Sequence, residues 1–256
     1  MMNKYDELTD SELLRYARQI LLDDWDITAQ LNLKNASIAI IGVGGLGCPV
    51  AQILARAGVG YIHLIDHDVI DESNLQRQVL FTHHDVGKYK SQTAKHILEN
   101  TNSFIKIYAT IQKITHDNIA DVIDKVNLVI DCTDNFAIRD VINQYCVDNH
   151  LPLLSNSAIG EIGQIALFEP DTGCYQCVFG DERGDENNCT NTGVLASTVN
   201  IIGSMTAQIA LDFLGRHHNP IKHQLLIWQG KTLTLKKLQF HQSKDCPVCY
   251  QKQPSS

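Results

Sequence analysis

Two Cys-x-x-Cys pairs, Cys174–Cys177 and Cys246–Cys249, stand far apart in a chain of 256 residues. Each pair is a short knuckle that supplies two thiolates, and the two complete one tetrahedral zinc site only if the fold brings them together. The pattern therefore constrains the whole C-terminal third, which has to return on itself and be clamped by a structural metal. The N-terminus, Met1-Met2-Asn3-Lys4-Tyr5-Asp6, lacks the apolar core of an export signal. Metal binding in a reducing cytoplasm is accordingly favoured over four disulfides among the eight cysteines.

A second feature lies near the other end. Gly42-Val43-Gly44-Gly45-Leu46-Gly47 follows the apolar run Ser37 to Ile41 and opens a helical stretch reaching about Ala57. A run of five apolar residues suits a buried strand and is too short for a helix. Glycines there let the backbone turn tightly and approach phosphates, and the helix N-terminus offers free N–H groups and positive potential. Asp66 ends the next apolar run about 20 residues on, where an acid would hydrogen-bond a ribose hydroxyl. This fingerprint does not separate NAD, S-adenosylmethionine and ATP, and a glycine turn without a ligand is the plainer alternative.

Further candidate strands are Ile105 to Ala109, Val126 to Ile130, Pro152 to Leu154 and Gln164 to Phe168, with helical patterns at Lys90 to Glu99 and Ala137 to Asp148. The alternation predicts an α/β fold: a Rossmann-like, mainly parallel sheet with helices on both faces. Thr9 and Glu12 have capping-box spacing for an N-terminal helix carrying Arg15 and Arg18. After Pro170 the pattern changes. A polar segment from Phe179 to Thr192 precedes an apolar helix near Leu195 to Leu214. Two late strands follow, around Leu225 to Trp228 and Thr232 to Leu238. The expected organisation is a single domain: N-terminal helices over 1–30, a nucleotide-binding core over 31–170, and the zinc-clamped segment with antiparallel strands over 171–256.

Composition excludes little, but what it excludes matters. The longest uncharged stretch, Ser37 to Ala55, is broken by four glycines and Pro49, so it is no membrane span. A formal net charge of −8 disfavours non-specific nucleic-acid binding, which rests on phosphate neutralisation. Cations do follow the acid, in Ser73-Asn74-Leu75-Gln76-Arg77-Gln78 and Gly87-Lys88-Tyr89-Lys90. Hydride transfer to a nicotinamide needs no such group, whereas attack by an anion on an anionic triphosphate does. Taken singly, each of these cations is also compatible with an ordinary solvated surface. Asp131-Cys132-Thr133-Asp134-Asn135 follows the strand ending at Ile130, at the sheet edge where such folds bind ligands. A carboxylate there would hold Mg²⁺ beside phosphates, or the stretch would merely cap the next helix.

The run Arg15-Tyr16-Ala17-Arg18-Gln19-Ile20, the glycine turn, Ser73 to Gln78, Asp131 to Asn135 and the paired cysteine knuckles together resemble the ThiF/MoeB/HesA family, bacterial relatives of ubiquitin-activating enzymes. The likeness is collinear over nearly the whole chain. It implies ATP-dependent adenylylation of the C-terminal glycine carboxylate of a small ubiquitin-like sulfur-carrier protein, ThiS-like or MoaD-like, with release of pyrophosphate, for thiamine or molybdopterin biosynthesis. By the same resemblance Gly45, Asp66, Ser73, Asn74, Arg77, Lys90, Asp134 and Asn135 contact the nucleotide, and Asp134 takes the Mg²⁺-associated role. Arg18 would reach the ATP site of the partner in a homodimer, and the four paired cysteines would hold Zn²⁺. Cys189 matches the family's crossover-loop cysteine, tied to sulfur transfer in the thiamine branch. Cys174 to Cys177, Phe81-Thr82, Asn188-Cys189 and Gly230-Lys231 are slightly closer to that branch. Sulfur would come from a separate protein, a cysteine desulfurase or a rhodanese. Cys48, Cys132 and Cys146 are expected in the core. Competing readings are an NAD-dependent oxidoreductase, which leaves Arg77, Lys90 and the zinc clamp unexplained, a tRNA-modifying dehydratase, and a non-catalytic zinc-stabilised scaffold.

Overall fold

The computed structural model describes residues 7–123, 125–180 and 193–250. Helices α1 (Asp10–Ile20) and α2 (Ile27–Asn35) lead into strand β1 (Ser37–Ile41), then α3 (Gly47–Ala57) and β2 (Tyr61–Ile65). Next come α4 (Lys90–Thr101), β3 (Lys106–Thr110), the short α5 (Ile119–Val122), β4 (Leu128–Asp131) and α6 (Phe136–Asp148). Strands β5 (Leu153–Ile159) and β6 (Ile162–Phe168), the one-turn α7 (Tyr175–Phe179), the long α8 (Ala196–Arg216), β7 (Gln224–Gln229) and β8 (Thr234–Gln239) complete the described chain.

All eight strands join one sheet in the order β3-β2-β1-β4-β5-β6-β7-β8. The first five run parallel, and β6, β7 and β8 are added antiparallel. The parallel strands are short apolar runs because both their faces are covered. Ile38, Ile40, Ile62, Leu64, Leu128 and Ile130 point into a core shared with α2, α3, α4 and α8. Their neighbours Ala39, Ile41, Ile65 and Val129 point the other way, toward α5, α6 and α7. The expected α/β architecture, with its antiparallel C-terminal strands, is the one observed.

Most boundaries shift by one or two residues, and two differ by five. Helical structure at the N-terminus continues to Asn35, past residue 30: Asp26 caps the start of α2 through the Ala29 amide, and Ala29 and Leu33 pack into the core. Strand β5 runs on to Ile159 rather than ending at Leu154. Its polar continuation, Ser155 to Ser157, is held by pairing with β6 across a tight turn at Gly160–Glu161. The Thr9–Glu12 capping box forms as expected, and Glu12 is further tied to α2 by an ion pair with Lys34 at 2.8 Å. Strand β8 is the outer edge, exposed along its whole length.

Candidate active site

Strand β1 continues to β2 on one side and has β4 on the other, so the connections after β1 and β4 leave in opposite directions. A crevice opens at the carboxyl ends of strands with this reversal. Here it is an open cavity of about 940 Å³, bordered by Gly42, Gly44, Gly45, Asp66, Asn74, Arg77, Lys90 and Asp134, among others.

The glycine turn is shaped by close backbone approach. Gly42 has φ +90°, and a Cβ there would lie 2.8 Å from the Cys132 carbonyl oxygen. A Cβ on Gly47 would lie 2.0 Å from the Gly42 carbonyl oxygen. Asp66 locks the turn to β2, since its carboxylate accepts from the Val43 amide at 2.7 Å and from the Asp68 amide at 2.8 Å. Burial pushes the Asp66 carboxyl up, against the opposing pull of those two amides.

Lys90 is buried at the start of α4, and its Nζ lies 2.8 Å from Asp68 Oδ2. Burial opposes ionisation of Asp68, but the Lys90 ammonium outweighs it and holds the carboxyl below its ordinary value. Arg77 is anchored by donating from Nη1 to the Ser73 carbonyl at 3.2 Å, with its stem against Gly45. Two cations thus flank the glycine turn, one buried and paired, one at the surface.

The loop after β4 divides its labour. Asp131 is fully buried and accepts from the Thr133 amide and hydroxyl and from Ser155 Oγ. Asn135 caps α6 by accepting from the Ile138 amide at 3.0 Å. The capping alternative therefore holds for Asn135, while Asp134 is exposed on the cavity wall with no hydrogen-bond or ionic partner among the described residues. Ser73, Gly47 and Asn135 support the wall without bordering the cavity, and Arg18 is exposed on α1, also outside it. Cys189 lies outside the described residues.

Three residues to which sequence reasoning gave no role belong to this region. Asp68 is the partner of Lys90, and the Asp66-x-Asp68 spacing after β2 was its signal. Gln78 borders the cavity, almost wholly buried, with no partner for its Oε1 among the described residues. Arg139 is a buried cation on the wall; its mark in the sequence is an arginine in line with Ile142 and Cys146 on the apolar stripe of α6.

The four paired cysteines do meet. Their sulfurs lie within 4.8 Å of one another, with Cys174–Cys246 at 3.7 Å, Cys174–Cys177 at 4.0 Å and Cys177–Cys249 at 3.3 Å. A tetrahedron built on bonds of ~2.3 Å has edges of ~3.8 Å, so the donor set fits zinc in both chemistry and size. Amides of Ser243 and Gln242 and of Asn143 point at these sulfurs. Cys48, Cys132 and Cys146 are buried in the core as expected.

A doubly wound sheet with a glycine turn, flanking cations and a free carboxylate at its switch point defines a nucleotide-binding α/β protein. Residues 16–248 match the model of the ThiF family. The chain is 38% identical over 244 residues to the sulfur carrier protein ThiS adenylyltransferase of Escherichia coli K12, covering 94% of this chain and 97% of that protein. It is 35% identical over 250 residues to the molybdopterin-synthase adenylyltransferase of Salmonella typhimurium LT2, covering 96% and 99%. An adenylyltransferase and sulfurtransferase, MOCS3-1 of Drosophila pseudoobscura pseudoobscura, is 36% identical over 95% of this chain, which spans 55% of that longer protein. Among solved structures, E. coli MccB with ATP superposes with a TM-score of 0.78 at 29% identity, over 87% of this chain and 69% of that one. The chain belongs to the ThiF family.

Proposed function

We propose that this protein uses ATP to adenylylate the C-terminal carboxylate of a small ubiquitin-like sulfur-carrier protein. The observation that carries this reading is the cavity itself: glycine turn, Arg77, Lys90 and unpaired Asp134 converge at one sheet edge, in a chain similar to adenylyltransferases over almost its full length.

The chemistry asks for little beyond alignment and charge. A carboxylate is already ionised near neutrality, so no general base is required. One carboxylate oxygen bonds to the α-phosphorus, the bond from that phosphorus to the bridging oxygen breaks, and pyrophosphate leaves with the electron pair. Arg77 and Lys90 would oppose the charge that gathers on the phosphates, and the glycine turn would supply amides at the α3 N-terminus. Asp134 would hold Mg²⁺, which supplies further charge neutralisation when bound. Lys90 would then exchange Asp68 for phosphate oxygens. Zn²⁺ at the four cysteines would be structural, because four thiolates leave no open position for an activated water.

The remaining parts of the reading concern partners. Two chains would form a homodimer in which Arg18 completes the other subunit's site. A separate sulfur donor would follow the adenylylation step, with Cys189 the candidate for sulfur transfer. Similarity to both carrier branches is nearly equal, so the carrier is a ThiS-like or a MoaD-like protein. Among the described residues no helix is long and apolar enough to cross a membrane, which accords with the cytoplasmic setting proposed.

The test is incubation with candidate carriers and MgATP, followed by intact-mass measurement of a carrier–AMP adduct and carrier-dependent ATP–pyrophosphate exchange. Exchange should fall by ~100-fold or more in Asp134→Ala and in Arg77→Ala, since one lost transition-state contact typically costs a few kcal/mol. Near-normal exchange in both variants would sink the assignment.

A further inference from the structure

Helix α6 carries three polar residues at four-residue spacing, Asn135, Arg139 and Asn143, which places them along one face. At its N-terminal end Asn135 is the cap. One turn on, Arg139 is only 4% exposed and donates to the Thr133 and Asn156 carbonyls and to Ser155 Oγ. Its guanidinium also lies 3.4 Å from Asp131 and 5.9 Å from the centre of the Tyr175 ring. One further turn on, Asn143 is 2% exposed and spends both ends of its amide on the first cysteine knuckle. Its oxygen accepts from the Tyr175 amide at 2.9 Å, and its nitrogen donates to Cys174 Sγ at 3.7 Å.

We infer that α6 is a strut through which the four-cysteine cluster sets the pose of the loop bearing Asp134, with Arg139 and Asn143 as its positioning residues. Asp131 holds the Thr133 amide and hydroxyl from the β4 side, which leaves the α6 side to Arg139 and the Asn135 cap. Thr133 and Asp134 lie between the buried end of β4 and the α6 cap, and Arg139 grips the Thr133 carbonyl from α6. A buried guanidinium is costly unless every donor finds a partner, so its position is tightly determined. Tyr175, adjacent to the ligand Cys174, closes one side of that pocket. Metal bound by the cysteines would fix Cys174, and with it Tyr175, Asn143 and Arg139. The strut rests on contacts alone; only the consequence for phosphate binding rests on the adenylylation reading of Asp134.

The experiment uses the full-length chain in excess Zn²⁺ and compares wild type with Asn143→Ala, which retains all four thiols, and with Arg139→Lys, which loses the fork. Two quantities are read: amide hydrogen exchange over residues 133–138, and the Kd for MgATP by calorimetry. Loss of a residue that orients a metal ligand typically changes affinity or activity by about 10–100-fold. Exchange over residues 133–138 should therefore quicken about tenfold or more in both variants, and MgATP should bind about tenfold more weakly. A merely structural role would loosen β7 and α3 as well, and exchange there should stay at the wild-type rate. Zinc-loaded Asn143→Ala with unchanged loop exchange and unchanged Kd overturns the strut. Should that variant fail to fold, chelation of the wild-type chain with the same two readouts decides instead, and an unaltered loop refutes the inference. If wild type binds no MgATP at all, the adenylylation reading fails while hydrogen exchange still judges the strut.

Discussion

Single side chains in this protein are sorted by burial into those that react and those that cannot. Cys132 sits beside the cavity with its sulfur near Asn156 Nδ2, yet burial pushes its thiol up to about 12. Burial does the same to Cys48, also to about 12. Because the folded values are raised, both thiols stay protonated through the range in which an ordinary cysteine ionises near 8.5. At pH 8 their thiolate fraction, and so their alkylation rate, should be ~1000-fold below that of an exposed thiol. Timed iodoacetamide labelling of the folded protein with peptide mapping checks this; labelling of either residue within minutes would contradict it. The carboxylates are sorted similarly. Asp66 and Asp131 are consumed by backbone amides and Arg139, and Asp134 is left for a ligand.

At the level of elements, the strand–turn–helix unit β1–α3 depends on contacts that a methyl group would destroy. Gly47 begins α3, where alanine would ordinarily be favoured by up to ~1 kcal/mol. Here its Cβ would collide with the Gly42 carbonyl, so Gly47→Ala should destabilise the fold by about 2–3 kcal/mol in urea unfolding. A neutral or stabilising result would show that the turn can relax. This unit was readable from sequence because glycine spacing, an apolar run and an acid at the end of the next strand all encode local geometry. The four cysteines were readable because Cys-x-x-Cys encodes a ligand pair. Less legible were features made by tertiary contact: β5 beyond Leu154, whose polar residues are strand only because β6 pairs with them, and α2 as far as Asn35. Arg139 was passed over because a lone arginine on an apolar stripe reads as solvated until Asp131, Ser155 and Tyr175 are seen around it. Gln78 was quoted within a motif, but nothing local shows that its oxygen is buried without a partner.

For the whole molecule the outstanding matter is how two chains would share sites. Arg18 lies on α1, away from its own cavity, whereas Arg15 on the same helix donates to the Thr101 carbonyl. An arginine arriving from a partner would add bidentate charge at the phosphates without burying it in the free chain. Mixing inactive Arg18→Ala and Asp134→Ala proteins should restore activity in the heterodimer, because one site then carries both lesions and the other carries none. If mixing restores nothing, or sedimentation finds only monomer, Arg18 does not act across a dimer. The same sheet that builds the cavity also ends in the open, at β8, where a row of backbone donors and acceptors faces water. Leu235 and Leu238 stand exposed there beside Lys236 and Lys237. Lysines on a free edge make it costly for a second strand to add, since two such edges would bring their ammonium groups together. That guard is electrostatic and is screened over ~10 Å at 0.1 M salt. The colloidal behaviour of this protein should therefore depend on ionic strength at an edge that lies outside the residues bordering the cavity.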